Sequence, residues 1–182
     1  MLSGDGRGLL YLPFLNYVDG NLDAVHEMLT HPYTVPGLGD GGAHVGTICD
    51  GSFPTTLLRY WGRDRSRGTI DLEFLVQRHC RDTARTVRLL DRGVIAPGYR
   101  ADLNVVDYDN LRLHKPEIAH DLPAGGRRLL QRASGWAHTI VAGQETYADG
   151  EATDALPGRL VRGAQSAPVG SEAKPRPEVR IL

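Results

Sequence analysis

The apolar residues Leu72, Leu75, Val76, Cys80, Ala84 and Val87 recur at helical spacing, and beyond Gly93 the period changes to the alternation of residues 101–105, Ala-Asp-Leu-Asn-Val. A repeat near 3.6 buries one stripe of a helix, whereas a repeat of two buries one face of a strand. The change at Gly93 therefore separates a part that contains helices from a part built of strands.

Other elements fall on either side of that change. Residues 8–14 (GLLYLPF) have strand length, and Asn21 offers a cap for a helix carrying Leu22, Val25 and Leu29, which His31-Pro32 ends. Residues 34–38 predict a second buried strand, ending at Gly39-Asp40-Gly41-Gly42. Pro54 suits a first helical position, and Leu57, Leu58 and Trp61 then share one face of a helix reaching about Arg63. Residues 140–147 predict two short strands about a turn, with another turn at Asp149-Gly150. The stretch 109–135, with Pro116, Pro123, Gly125 and Gly126, predicts an irregular functional or interface loop. Past Arg162 the composition predicts a mobile tail.

With 41% hydrophobic and 24% charged residues, the chain has the material for a packed core. Its 21 basic and 22 acidic residues leave no basic excess for nucleic acid. No apolar run nears the ~18 residues of a membrane span, and no basic-then-apolar leader opens the chain. Two cysteines, Cys49 and Cys80, make no disulfide framework, so a reducing, cytoplasmic setting is expected.

Asp40 stands at the end of the predicted strand, where a carboxylate is placed to hold a metal or take a proton from water, with glycines leaving room for a ligand. The alternative is an Asp-Gly turn that only reverses the chain. Gly37, Gly39 and Gly42 also match G-x-G-x-x-G, but residues 43–53 lack the helical stripe that would receive a pyrophosphate. His44 is a candidate to orient substrate or ligate a metal, or else a solvated loop residue. The seven histidines form no H-x-H or H-E-x-x-H pair. Cys49 and Cys80 read as inert thiols, and the arginines at 59, 63, 65 and 67 as a solvated helix end.

Residues 91–107 (DRGVIAPGYRADLNVVD) resemble the metal-dependent amidohydrolase signature G-x-[I/L]-x-P-G-x-x-A-D-[L/I]-x-V-x-D, and residues 140–150 (IVAGQETYADG) resemble the closing hairpin of the same family. Residues 38–44 (LGDGGAH) are then similar to the last barrel strand with its catalytic aspartate, and Gly51-Ser52-Phe53-Pro54 to the G-[S/T]-F-P of N-acyl-D-amino-acid deacylases. The resemblance implies an α/β fold: the carboxyl-terminal part of a β/α (TIM-like) metallo-hydrolase barrel over residues 1–92, part of the flanking β-sandwich over 93–162, and a flexible tail over 163–182. It implies hydrolysis of an amide or related C–N bond in a small-molecule substrate, with Asp40 as proton acceptor and possible metal ligand and His44 as substrate-binding residue. Zinc or another divalent metal is implied for the full-length parent, with no tight binding by this chain.

Two departures shape that expectation. The H-x-H and middle-strand ligands of the family are missing, and neither Lys115 nor Lys174 precedes Asp40, so the chain resembles the last third of an enzyme. The H-P-R that would clamp a substrate carboxylate is replaced by residues 45–50, which contain no arginine. A non-catalytic β-rich binding or assembly module derived from an amidohydrolase is the competing expectation, and the incomplete barrel suggests self-association.

Overall fold

The computed structural model describes residues 8–10, 15–17, 19–37, 39–42 and 44–170. It divides into two units, Met1–Thr34 and Val35–Leu182.

In the first unit, Asn21 Oδ1 accepts the Asp23 N–H at 2.8 Å, and α1 (Asp23–Thr30) follows. The predicted stripe Leu22, Val25 and Leu29 is half-buried. Residues 8–10 are not in a strand, and residues 11–14 lie outside the described residues.

In the second unit, the described residues of 35–49 are without regular structure, and a single 3-10 turn, Asp50–Ser52, follows them. The strand expected at 34–38 is not formed over residues 34–37, and Leu38 lies outside the described residues. Helix α2 (Phe53–Thr56), with Pro54 in its first turn, continues into the π-helical stretch Leu57–Asp64. The wide turn shows at its end, where the Arg65 N–H donates to the Tyr60 carbonyl, five residues back, at 3.0 Å. Leu57, Leu58 and Trp61 are buried, as their spacing predicts.

A side chain from outside enters this helix. The Tyr108 hydroxyl donates to the Leu58 carbonyl at 3.2 Å and lies where a Cβ on Gly62 would sit, 2.7 Å away. Side-chain insertion into a helical ladder is a recognised cause of such local distortion. The Arg63 guanidinium then donates to the carbonyls of Tyr108, Asp109 and Leu111. Trp136 Nε1 donates to the buried Thr55 hydroxyl at 3.0 Å, and Leu111 is wholly enclosed.

Helix α3 (Leu72–Gln77), a second π stretch (Arg78–Asp82) and α4 (Thr83–Thr86) occupy the region of the long predicted helix. Its predicted stripe is corrected in part. Leu75 and Ala84 are buried, but Val76, Cys80 and Val87 are exposed, while Arg78 and Asp82 are buried. For Cys80 and Val87 the cause is the π stretch, whose wider turns shift the facing set away from a strict 3.6 repeat. Arg78 and Asp82 enter as a pair at 3.6 Å, and the Arg78 guanidinium lies 5.0 Å from the centre of the Phe74 ring.

The strand-rich part carries three antiparallel sheets. Four strands, β1 (Leu103–Val106), β6 (Trp136–Val141), β7 (Gln144–Ala148) and β8 (Glu151–Ala152), pair in the order β1-β6-β7-β8. Ala142 and Gly143, both at positive φ, make the tight β6–β7 turn, and Asp149 and Gly150 make the next. Residues 109–135, expected to be irregular, instead hold β2 (Arg112–Leu113) paired with β5 (Ala133–Ser134), and the hairpin of β3 (Glu117–Leu122) with β4 (Gly126–Leu130). Residues 163–170 belong to the predicted tail, yet Gln165 exchanges backbone hydrogen bonds with Arg88 and Leu90 at 2.9 and 3.0 Å. Residues 171–182 lie outside the described residues.

The signature segment joins helices to sheet through one carboxylate. Asp102 Oδ1 accepts from Arg100 Nε at 2.7 Å and from the Ala142 N–H at 2.8 Å, and Oδ2 faces Arg92 at 3.5 Å. One residue earlier, the Ala101 carbonyl accepts the Gly143 N–H at 2.9 Å. The Arg92 guanidinium hydrogen-bonded to Asp91 holds that carboxyl below the usual carboxylate range. Gly93 takes φ +81°, and a Cβ there would lie 2.8 Å from the Cys80 carbonyl oxygen, so only glycine lets the chain leave the helix at this point. Asp102→Ala strips the acceptor from the β6–β7 turn and from two arginines. It should lower stability by about 1–3 kcal/mol, read as a lower urea midpoint with unchanged slope, and Asp102→Asn should lose less because it keeps an acceptor for Ala142.

Candidate active site

Asp40 lies in an exposed bend, not at the end of a strand among the described residues. Its setting comes from the glycines around it. A Cβ on Gly39 would lie 3.0 Å from Asp50 Oδ2, and a Cβ on Gly41 would lie 2.9 Å from the Gly51 amide nitrogen. The loop carrying Asp40 is thus stacked directly on Asp50-Gly51, with glycine hydrogens where side chains would collide. Gly42 completes the bend at φ +91°.

His44 also sits in the bend, exposed and in the left-handed region at φ 44°. Its carbonyl accepts from the Thr47 N–H at 2.7 Å and the Thr47 hydroxyl at 3.0 Å. The turn from His44 therefore closes on itself before the chain reaches Cys49 and Asp50. No helix begins directly after Gly42, since residues 44–47 are in turns, so the G-x-G-x-x-G match lacks the helix a pyrophosphate needs.

The sequence brings Asp50 and Ser52 into this region with no signal beyond their turn. Asp50 places a second carboxylate beside the Asp40 loop, and the Ser52 hydroxyl reaches Gln131 Oε1 at 2.5 Å. Burial, and then the neighbouring Asp50 charge, push the Cys49 thiol above its ordinary value, which disfavours the thiolate a nucleophile needs. His79 packs edge-on against Phe53 with ring centres 5.6 Å apart, and burial lowers its pKa, favouring the neutral imidazole.

The nearby arginines have structural partners. Arg59 pairs with Asp64 at 2.5 Å, Arg63 holds the carbonyls described above, and Arg65 lies 4.7 Å over the Trp61 ring. Among the described residues no three of His, Cys, Asp or Glu are grouped as metal ligands. A complete metal centre therefore does not fit the described residues by themselves.

The family model described as the amidohydrolase family matches residues 6–147, well over half of the chain. The chain belongs to the amidohydrolase family, a hydrolase-type assignment. No curated protein and no solved structure matches it. No helix among the described residues is long and apolar enough to cross a membrane.

The stacking of the Asp40 loop gives a direct check. Gly41→Ala sets a Cβ against the Gly51 backbone, which cannot swing aside as a side chain would. It should cost about 1–3 kcal/mol and shift the amide resonances of Asp50 and Gly51. Gly37→Ala, with nothing within 4 Å of its Cβ, is the matched control and should be near neutral.

Proposed function

We propose that this chain carries the proton-transfer carboxylate of a hydrolase that splits an amide or related non-peptide C–N bond, in the manner of N-acyl-amino-acid deacylases. The observation that carries this is the placing of Asp40: exposed, in a glycine bend stacked on Asp50-Gly51, within a chain of the amidohydrolase family. Asp40 accepts a proton as water attacks the substrate carbonyl, then passes that proton to the nitrogen as the C–N bond breaks. The products are a carboxylic acid and an amine, and Asp40 returns to its starting charge.

His44 is assigned to steering the substrate, from its place four residues beyond Asp40 in the same exposed loop. Residues 45–50 contain no arginine, so they offer no guanidinium clamp for a substrate carboxylate, which supports C–N hydrolysis better than selectivity for D-amino acids. A divalent ion such as zinc would lower the pKa of a bound water. Such an ion would take its other ligands from outside the described residues, with Asp40 contributing one, and this chain is expected to hold none tightly. The exposed Val76 and Val87 on the helical segment are the surface assigned to self-association.

The test is hydrolysis of N-acetyl-amino acids of both hands, with zinc supplied, by a full-length enzyme in which the family's metal-ligand strands are restored ahead of this chain, carrying Asp or Asn at position 40. Asp40→Asn keeps size and turn propensity and removes proton affinity. Turnover should fall at least ~10²-fold with little change in KM, and His44→Ala should act mainly on KM. Near-normal turnover in Asp40→Asn returns Asp40 to the role of a chain-reversing turn. Hydrolysis by neither form favours the binding or assembly module.

A further inference from the structure

The loop that bears Asp40 is held from a distant part of the chain. Asp40's glycines rest on Asp50-Gly51, and the hydroxyl of the next residue, Ser52, lies 3.4 Å from the Cys49 carbonyl of its own turn but only 2.5 Å from Gln131, between β4 and β5. Gln131 has two bonds: its Oε1 accepts the Ser52 hydroxyl at 2.5 Å, and its Nε2 donates to the His114 carbonyl at 3.0 Å. The same oxygen lies 3.9 Å from Cys49 Sγ. Two residues earlier, the Leu129 N–H donates to the Val45 carbonyl at 2.6 Å. The turn beneath Asp40 is therefore gripped on both flanks, at Val45 by β4 and at Cys49–Ser52 by Gln131.

We infer that Gln131 is a positioning residue for Asp40, acting through Ser52, and that the segment from β4 to Gln131 fixes the reactive loop. The functional half of this inference rests on Asp40 being the hydrolytic carboxylate; the mechanical half does not. A glycine bend has little stiffness of its own, because glycine leaves the backbone many conformations. Its order must come from what it lies on. The Asp50–Ser52 turn is three residues long and has no side-chain cap of its own, so Gln131 supplies an external tie. A hydroxyl at position 52 is the chemical requirement, since its proton is what the Gln131 oxygen accepts.

The test uses the whole chain and needs no substrate. Backbone ¹⁵N order parameters at Gly41 and Gly42, and amide exchange at Thr47 and Ser52, are compared for the parent chain, Ser52→Ala, Gln131→Ala, the double variant and Ser52→Thr. Either single alanine variant should lower order at Gly41 and Gly42 and speed exchange at Thr47 and Ser52 by about three- to tenfold. Exchange in β6 and β7 should stay unchanged. The double variant should fall short of the sum of the singles, because the Ser52–Gln131 bond is lost in both, and Ser52→Thr, which keeps the hydroxyl, should behave as the parent. Unchanged order at Gly41 and Gly42 overturns the inference, as does a parallel rise of exchange in β6 and β7, the sign of a general loss of stability. Because no turnover is measured, failure here is distinct from failure of the hydrolase proposal.

Discussion

Arg63 and Tyr108 make the junction on which the second unit depends. The guanidinium carries its charge to three carbonyls of the 108–111 turn, those of Tyr108, Asp109 and Leu111, and the phenol returns a hydrogen bond to Leu58 across the gap that Gly62 leaves open. Charge-assisted donors of this kind are stronger than neutral ones. Their effect is to fix the chain just before β2, so that Leu111 can be sealed against α2 and the π stretch that follows it. A Cβ on Gly135 would lie 2.7 Å from the Leu111 Cα, so the chain between β5 and β6 passes Leu111 at backbone distance. Trp136 then reaches Thr55, and the helical and strand-rich parts share one core.

From this junction the position of the Asp40 loop follows. Once β5 is anchored, Gln131 and Leu129 fall opposite the segment 45–52, and that segment supports the glycines around Asp40. The family signature does a different task. Asp102 ties the start of β1 to the β6–β7 turn, and Gly93 permits the close exit from the helix, so these two residues stabilise the join between the two parts.

The helices were legible where apolar spacing and caps acted together: Asn21 ahead of α1, Pro54 ahead of Leu57, Leu58 and Trp61, and the turns at Ala142-Gly143 and Asp149-Gly150. Cys80 and Val87 were misplaced because a π stretch does not keep the 3.6 repeat that the pattern assumes. Strands β3 and β4 were illegible because their pairing is carried by backbone bonds and by Arg128, which grips Asp121 at 2.8 and 2.7 Å on the exposed face, leaving no apolar alternation to detect. Asp40 and His44 could be chosen from chemistry and glycine context. Asp50 could not, since its part depends on how the glycine bend folds back on it, nor could Gln131, whose part depends on a contact between segments some eighty residues apart.

If the Arg63–Tyr108 junction unites the two parts, they should open together. Native-state amide exchange in increasing urea reads this directly through the amides of Arg65 and Ile70, bonded to Tyr60 and Trp61 of the helical part, and those of Tyr147 and Ala148 in β7. The account predicts that all four merge into one unfolding isotherm with a shared slope, and that Arg63→Ala lowers them together. Separate isotherms, with Arg63→Ala affecting Arg65 and Ile70 and leaving β7 unmoved, would contradict it.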